Sequence, residues 1–340
     1  MFDPRIEVFS TCPPSSGFDA GSYLHEVVRV ARWSEGAGCR GILVYSDNSL
    51  VDPWLVSQVI IESTRSLCPL VAVQPIYMHP YSVAKMAASF GHLHGRQIYL
   101  NMVAGGFKND LTALNDTTPH DSRYGRLIEY TTIIKSLLSG PSPFSFEGEF
   151  YRVDRLKLTP ALPPSLFPGI FVSGSSDAGM AAARVIGATA VEYPKPADSS
   201  GDGPPADGVQ HGIRVGIITR AEGSDAWELA RARFPEDRKG QLTRQLATKV
   251  SDSVWHDQLA RLSTGPEESP YWLVPFQNYK TMCPYLVGSY ERVSDELGRY
   301  AALGYRSFIL DVPVEPDELH HASLAFDRAF DRCPSRSQTG

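Results

Sequence analysis

Four residues in the middle of the chain have the composition of an anion-binding turn. Gly174, Ser175, Ser176 and Asp177 lead directly into the helix-forming segment AGMAAARVIG. Unpaired backbone N–H groups and hydroxyls at the start of a helix attract an anion, and the helix dipole adds to that attraction. The same residues also suit an ordinary helix cap by Ser176 or Asp177, which alone stabilises a helix by about 1 kcal/mol. The sequence therefore predicts a phosphate cradle or a helix cap, and both readings stay open.

A second group of polar residues stands at the head of a helix predicted over 121–138. His120 and Tyr124 are four residues apart, and this spacing places two side chains on one face of a helix. Both can then reach one ligand beyond the helix end. A solvated capping segment is the alternative.

Three further side chains are candidate site residues, each for a separate reason. Arg214 interrupts an apolar strand predicted over 212–219, so it either pairs with a buried carboxylate or points into a site. Cys12 follows the first predicted strand and is a candidate catalytic residue, although an isolated cysteine is more often a small buried hydrophobe. Trp54 belongs to a helix start capped by Asp52, and it is a candidate substrate-binding residue on the rim.

The elements that must position these residues follow a repeated unit of amphipathic helix, glycine and β-branched apolar run. In GRQIYLNMV and VIGATAVEY, for example, the glycine suits a helix C-cap and the run suits a strand buried on both faces. Eight such strands are predicted, over 6–10, 41–46, 70–76, 98–103, 169–173, 188–192, 212–219 and 307–311. This alternation predicts an α/β protein with a TIM (β/α)8 barrel. An open doubly wound sheet is disfavoured because no GxGxxG turn follows these strands.

The whole chain, 1–340, is predicted to be one barrel domain with insertions. Residues 140–168 contain FSFEGEFYRV, which indicates a hairpin. Residues 194–211 are a polar loop rich in Pro, Gly and Asp. Residues 235–288 form a long insertion before the last helix and strand, and its aromatic residues favour a lid over the site.

In a TIM barrel the active site lies at the carboxyl ends of the strands. Gln74, Asn101 and Ala104 stand at the ends of strands three and four, in a rim that is polar and mostly uncharged. Glycoside hydrolysis requires two facing carboxylates, and a Schiff-base aldolase requires a lysine within a strand. The sequence offers neither clearly.

Composition excludes several other classes of function. The 340 residues include 32 Lys and Arg against 38 Asp and Glu, a net charge of −6, which argues against nucleic-acid and polybasic membrane contacts. No apolar run approaches the roughly 18 residues of a membrane span, and the first residues do not resemble a signal peptide, so we expect a cytoplasmic protein. The five cysteines form no CxxC and the nine histidines no HExxH, so we expect no metal site.

Several stretches together resemble the bacterial luciferase-like family of flavin-dependent monooxygenases, particularly its alkanesulfonate monooxygenase branch. They cover most of the chain in family order and are ILVYSDNSLVDPWLV, LVAVQPIYMHPYSVAKMAASFGHLHGRQIYLNMVAGG, HDSRYGRLIEYT, IFVSGSSDAGMAAA, GIRVGIITRAEGSDAWELA and YAALGYRSFIL. The family fold is an eight-stranded α/β barrel with a large insertion before the last helix and strand. This fold agrees with the strand count above.

The resemblance implies a reduced FMN as cofactor. Its phosphate would lie on Ser175 and Ser176, helped by His120 and Tyr124, with Asn101 and neighbouring rim residues beside the flavin ring. Gln74, Ala104 and Gly174 are the neighbouring positions that we carry over as cofactor-binding. Arg214 matches an arginine that holds a phosphate or a substrate anion near the flavin, so Arg214, Asn101 and Cys12 are the candidate catalytic residues.

The chain departs from the alkanesulfonate branch at several positions. Cys12 replaces a histidine, Leu50 a cysteine, and Gly216 a histidine two residues past Arg214. A tyrosine after the last strand has no counterpart in DVPVEP, and an arginine of the mobile loop falls near Tyr279 and Lys280. The resemblance therefore supports flavin binding better than sulfonate cleavage.

The function implied is an FMNH2-dependent monooxygenase that activates O2 as a flavin C4a-peroxide. No second dinucleotide motif is present, so a separate flavin reductase would supply the FMNH2. The alternatives are an F420-dependent oxidoreductase of the same superfamily, alkanesulfonate desulfonation, and a non-catalytic flavin-binding protein. Members of the family commonly dimerise, and the oligomeric state stays open.

The substrate is expected to be larger and partly apolar. Tyr271, Trp272, Phe276 and Tyr279 place aromatic rings on the predicted lid, and Trp54 and Lys280 are the candidate substrate-binding residues. Such a pocket suits a tailoring oxygenase of secondary metabolism that acts on a free or carrier-bound acyl group. An acidic carrier protein would need a local basic patch, for which Arg123, Arg126 and Lys280 are the candidates.

Overall fold

The computed structural model describes residues 1–105, 108–174, 176–197, 208–235, 237, 269–278 and 280–331. Its strands are β1 (Glu7–Thr11), β2 (Gly41–Val44), β3 (Cys68–Val73), β4 (Tyr99–Met102), β5 (Phe144–Glu147), β6 (Arg152–Leu156), β7 (Gly169–Ser173), β8 (Thr189–Glu192), β9 (His211–Arg220), β10 (Tyr271–Trp272), β11 (Tyr285–Ser289) and β12 (Tyr305–Leu310). Its α-helices are α1 (Ala20–Gly36), α2 (Pro53–Ser63), α3 (Pro80–His94), α4 (Lys108–Ala113), α5 (His120–Ser139), α6 (Asp177–Ile186), α7 (Gly223–Arg233), α8 (Val274–Gln277), α9 (Tyr290–Leu303) and α10 (Pro316–Asp331).

Eight of these strands close into a parallel barrel. The pairing runs β1–β2–β3–β4–β7–β8–β9–β12, and β12 then pairs with β1. Closure excludes the open doubly wound sheet, so the predicted TIM barrel is confirmed. The barrel strands also coincide with the eight predicted ones, with ends that differ by up to three residues.

Aromatic rings fill the barrel interior. Phe9, Tyr99 and Phe171 are buried, with the ring of Phe9 5.1 Å from Tyr99 and 5.2 Å from Phe171 between centroids. Glycine is required where backbone approaches this cluster, because a Cβ at Gly169 would lie 2.2 Å from the Tyr99 ring. The interior is therefore a packed core, and space for a ligand remains only towards the strand ends.

Glycines end three of the barrel helices as predicted. Gly95, Gly187 and Gly304 are C-caps with φ of 60°, 69° and 110°, the left-handed region that side chains with a Cβ disfavour. Helix α1 ends differently, because its C-cap is Ala37 and the positive φ falls on Gly38. Each cap turns the chain directly into the next strand.

Two insertions add strands outside the barrel. Within 140–168, β5 and β6 form an antiparallel hairpin whose turn is anchored on α5, since the Glu129 carboxylate accepts hydrogen bonds from the backbone N–H groups of residues 149–151. Strand β11 pairs in parallel with the second half of β9, and β10 adds antiparallel to β11. The sequence analysis did not predict β11.

Part of the predicted lid lies outside the described residues, namely 236, 238–268 and 279, which include Tyr279. The described aromatic residues of 235–288 pack into the protein. Tyr271 is 3% and Phe276 4% exposed, and the Trp272 ring packs against Trp227 with 5.6 Å between centroids. None of the described helices is both long enough and apolar enough to cross a membrane.

Candidate active site

A cavity of about 1240 Å³ opens at the carboxyl ends of the barrel strands. Its wall combines residues that follow β2, β3, β4, β7, β8 and β12 with residues of β9 and β11, among them Tyr45, Ser46, Gln74, Asn101, Ala104, Ser173, Gly174, Ser176, Tyr193, Arg214, Tyr285 and Asp311. Ligand sites commonly measure about 300–1,000 Å³. This cavity therefore has room for a cofactor and a substrate together.

Neutral amide side chains line the cavity where β3 and β4 end. Asn101 is 5% exposed, and its Oδ1 accepts a hydrogen bond of 2.7 Å from the Ser173 hydroxyl. Gln74 donates from Nε2 to the Ser46 carbonyl at 3.3 Å. Ala104 lines the same region. Held in this way, the amides offer donors and acceptors without charge, which suits the edge of a flat heterocyclic ring.

The predicted cradle residues meet at another part of the wall. His120 and Tyr124 share a face of α5, with ring centroids 5.3 Å apart, and both line the cavity with Gly174 and Ser176. The close packing requires glycine, because a Cβ at Gly174 would lie 2.5 Å from the Tyr124 hydroxyl. Burial raises the pKa of Tyr124, so this phenol is a neutral donor at pH 7. Ser175 lies outside the described residues.

Ser176 serves as a helix cap as well as a cavity residue. Its Oγ accepts a hydrogen bond of 3.1 Å from the Gly179 N–H, which makes it the N-cap of α6. Asp177 is the first residue of the helix rather than its cap. The positive ends of the α5 and α6 dipoles thus lie beside one stretch of cavity wall, an arrangement that favours an anion.

Arg214 both lies near a buried carboxylate and lines the cavity, the two alternatives that its position in a strand allowed. Its side chain lines the cavity, and Nη2 lies 3.8 Å from Oδ1 of Asp311. Nη1 donates to the Tyr193 hydroxyl at 3.4 Å, and the guanidinium lies over the Tyr45 ring, 4.9 Å from its centroid. Nε and Nη2 are buried without a hydrogen-bond partner among the described residues. Because buried polar groups are nearly always hydrogen-bonded, these two nitrogens are candidate donors to a bound ligand.

Two predicted site residues do not reach this cavity. Cys12 is 2% exposed and is absent from the described cavity wall, and burial raises the pKa of its thiol to about 12. A thiol with this pKa is a poor nucleophile. Trp54 is 3% exposed, stacks on Phe90 and lines a neighbouring cavity of about 230 Å³, and Asp52 caps its helix as predicted.

The three residues considered for a basic patch are buried or ion-paired in the structure. Arg123 is buried at 4% exposure, and Arg126 forms an ion pair of 2.6 Å with Asp116. Lys280 lines the cavity, and its Nζ lies 2.8 Å from Asp237. The described residues therefore give no support to a patch built from these three.

The sequence analysis did not predict the cluster around Arg214 on the cavity wall, which consists of Tyr45, Tyr193, Tyr285 and Asp311. Tyr45, Tyr193 and Asp311 lie at or next to the carboxyl ends of predicted strands, so the barrel rule alone could have identified them. Tyr285 gave no such signal because β11 lies outside the barrel. Its hydroxyl donates to Asp311 Oδ2 at 2.8 Å.

Comparison with known proteins agrees with the fold. A profile of the luciferase-like monooxygenases matches residues 5–307. The chain is 34% identical over 308 residues to the 4-(γ-L-glutamylamino)butanoyl-[BtrI acyl-carrier protein] monooxygenase BtrO of Niallia circulans, covering 88% of this chain and 90% of that protein.

Two solved structures show the same fold at low sequence identity. Long-chain alkane monooxygenase (LadA) superposes with a TM-score of 0.74 at 15% identity, covering 99% of this chain and 94% of that one. The oxygenating constituent of 3,6-diketocamphane monooxygenase from Pseudomonas putida, in complex with FMN, gives 0.70 at 14% identity, covering 97% and 99%. The chain therefore belongs to the luciferase-like family of flavin-dependent monooxygenases.

Proposed function

We propose that this protein uses reduced FMN and O2 to oxygenate an acyl group carried on a carrier protein. The observation that carries the proposal is the composition of one cavity wall, which combines an anion-attracting end, uncharged amides and a buried arginine, two of whose nitrogens have no hydrogen-bond partner among the described residues. The relative BtrO, named for a carrier-bound substrate, supports the choice of substrate class.

The described residues fit FMN at two places. His120, Tyr124, Gly174 and Ser176 would hold the phosphate, with Ser175 added on the family resemblance. The close packing of Gly174 against Tyr124 leaves room there for backbone but not for a Cβ, which is what a cradle around a phosphate requires. Asn101, Gln74 and Ala104 would lie beside the ring. Bound reduced FMN would supply the electrons that activate O2.

The protein's own contribution is to bind, orient and exclude water. Asn101, fixed by Ser173, keeps its amide oriented without introducing a charge. Apolar residues of the cavity wall, including Phe234, Met282, Val312 and Val314, limit the access of water to the reacting groups. We propose that residues 235–288 complete this exclusion as a lid. No protein nucleophile is required, which agrees with the buried state of Cys12.

The proposed function implies two protein partners, a flavin reductase and a carrier protein. The reducing equivalents require a separate flavin reductase, because no nucleotide-binding GxGxxG follows the early strands of this sequence. The carrier protein would dock near the cavity mouth in the cytoplasm, and a homodimer is one of the oligomeric states open to the enzyme. Light scattering after size exclusion measures the oligomeric state.

The test is a reconstituted reaction. The chain, FMN, a flavin reductase, NADH and O2 are mixed with a carrier protein bearing a 4-(γ-L-glutamylamino)butanoyl group, and the carrier is analysed by mass spectrometry. With isotopically labelled O2 we expect one labelled oxygen atom in the acyl group, the other leaving as water, and no product when FMN or the reductase is omitted.

Each rival function has its own outcome in parallel assays. Binding of F420 in preference to FMN, followed by fluorescence, would indicate a hydride transferase. Efficient release of sulfite from simple alkanesulfonates would contradict the proposed substrate. FMN binding without oxygenation of any carrier-bound acyl group would indicate a non-catalytic protein.

A further inference from the structure

Arg214 and Asp311 bring opposite charges together on the cavity wall. Arg214 Nη2 lies 3.8 Å from Asp311 Oδ1, whereas an N–H···O hydrogen bond measures about 2.7–3.2 Å. The two side chains are 8% and 12% exposed. They are therefore close enough to balance each other's charge, but each retains hydrogen-bonding capacity for a third group.

The arginine half of the pair requires an acceptor. Nε and Nη2 are buried without a hydrogen-bond partner in the described part of the chain, while Nη1 donates to Tyr193. Two unsatisfied donors on one planar guanidinium match the two oxygens of a carboxylate. A ligand carboxylate would satisfy both nitrogens.

The aspartate half determines what accompanies that carboxylate. Tyr285 fixes Asp311 by donating to Oδ2, and the ionised carboxylate has about four acceptor positions, so Oδ1 can accept from a ligand. A dianionic phosphate on Arg214 would be repelled by Asp311. A ligand that carries an ammonium next to its carboxylate satisfies both residues.

We propose that Arg214 and Asp311 bind a zwitterionic α-amino acid head group of the substrate, Arg214 its carboxylate and Asp311 its ammonium. This inference rests on the proposed function, because the head group would be the far end of the acyl chain considered there. Arg214 lies on β9 and Asp311 directly after β12, whereas Gly174 and Ser176 follow β7. The head group and the FMN phosphate would thus contact different parts of the barrel rim.

The first test compares three ligands on the FMN-loaded wild-type protein by isothermal titration calorimetry. γ-L-Glutamyl-4-aminobutyrate carries both head-group charges, glutaryl-4-aminobutyrate lacks the ammonium, and 4-aminobutyryl-4-aminobutyrate lacks the head-group carboxylate. We expect the first to bind roughly tenfold more tightly than either of the others, as charge-assisted hydrogen bonds contribute this much. Equal affinities for all three would overturn the inference.

The second test assigns the ammonium to Asp311. In Asp311→Asn, the γ-L-glutamyl and glutaryl ligands should bind equally, while the preference for the head-group carboxylate persists. Asp154→Asn is the control, because Asp154 is an exposed carboxylate that does not line the described cavity and should leave both preferences unchanged. Persistence of the ammonium preference in Asp311→Asn would overturn the assignment.

FMN binding separates failure of this inference from failure of the proposed function. The same wild-type protein is titrated anaerobically with reduced FMN, and binding is followed by the quenching of its tryptophan and tyrosine fluorescence. If FMN does not bind, the proposed function is wrong; if FMN binds but the three ligands are not distinguished, only the head-group assignment is wrong.

Discussion

The ring of Tyr285 lies directly against Gly216, so close that a Cβ at residue 216 would fall 2.3 Å from the ring. Strand β11, which carries Tyr285, pairs with β9 in the register Tyr285↔Gly216. The same phenol donates to Asp311, the residue that follows the last barrel strand. Gly216 stands where the alkanesulfonate branch has a histidine, and DVPVEP contains no tyrosine. At the first departure the Tyr285 ring fills the space beside Gly216. At the second, the Tyr285 hydroxyl donates the hydrogen bond to the residue that follows the last barrel strand.

Gly216→Ala should destabilise the protein. The added methyl group collides with a fully packed ring, and overpacking of this kind costs about 1–3 kcal/mol. Urea denaturation measures the change in the free energy of unfolding. Gly298→Ala is the control. Gly298 lies within α9, where a Cβ would make an ordinary 3.8 Å contact with the Ala329 carbonyl oxygen, and the substitution should stabilise the protein by up to about 1 kcal/mol through helix propensity. Equal effects of the two substitutions would contradict the packing argument.

Gly174→Ala should weaken FMN binding. The new Cβ would lie 2.5 Å from the Tyr124 hydroxyl and would displace the phenol from the wall that is proposed to hold the phosphate. We expect the Kd for FMN to rise roughly tenfold or more, measured by flavin fluorescence. Gly125→Ala is the control. Gly125 lies on α5 beside Tyr124, and a Cβ there would make an ordinary 3.6 Å contact with Phe150. Unchanged affinity in Gly174→Ala would remove the cradle from the proposal.

Cys12→Ala should retain turnover. The thiol is buried, and its pKa of about 12 leaves almost no thiolate at pH 7. We expect kcat and KM to stay within about twofold of the wild type, after correction for any loss of folded protein. A loss of turnover of roughly a hundredfold, with the fold intact by circular dichroism, would restore Cys12 as a catalytic residue.

The barrel could be predicted because the patterns that define its helices and strands lie within short stretches of sequence. The strands are short apolar runs, several of them after a glycine cap, and polar residues such as Asn101 and Gln74 stand where the runs end. The spacing of His120 and Tyr124 likewise predicted a shared helix face, and the structure brings both to the cavity with Gly174.

The remainder of the site depends on long-range packing. Strand β11 pairs with β9, which lies far earlier in the sequence, so this pairing and the contact between Tyr285 and Asp311 could not be predicted from periodicity. Composition also does not decide which way an aromatic ring faces. Tyr271 and Phe276 suited a pocket wall, yet they pack into the protein core because β10 pairs with β11.

Asp116→Asn should destabilise the protein near neutral pH but not in acid. Burial alone would raise the pKa of Asp116, but hydrogen bonds from Arg126 and Thr118 outweigh it and lower the pKa to about 2. A lowered folded-state pKa contributes stability above the unfolded value of about 4, and this is lost as the pH falls through the folded value. We expect a difference of about 1 kcal/mol at pH 7 that shrinks below pH of about 5. Asp154→Asn, at an exposed position, should show no such pH dependence.

Arg214→Ala should impair turnover far more than Arg220→Ala, a change on the same strand. Arg214 is buried on the cavity wall, and its Nε and Nη2 have no hydrogen-bond partner in the described part of the chain, whereas Arg220 donates to the carbonyl of Thr219 and does not line the described cavity. Loss of a charge-assisted hydrogen bond to an anion costs about 1–3 kcal/mol, so kcat/KM should fall roughly five- to 150-fold. Steady-state kinetics with the carrier-bound acyl substrate and FMN titration on the same samples separate an effect on the substrate from one on the cofactor. If FMN affinity and turnover both stay at the wild-type level, Arg214 contacts neither ligand, and its unpaired nitrogens need another explanation.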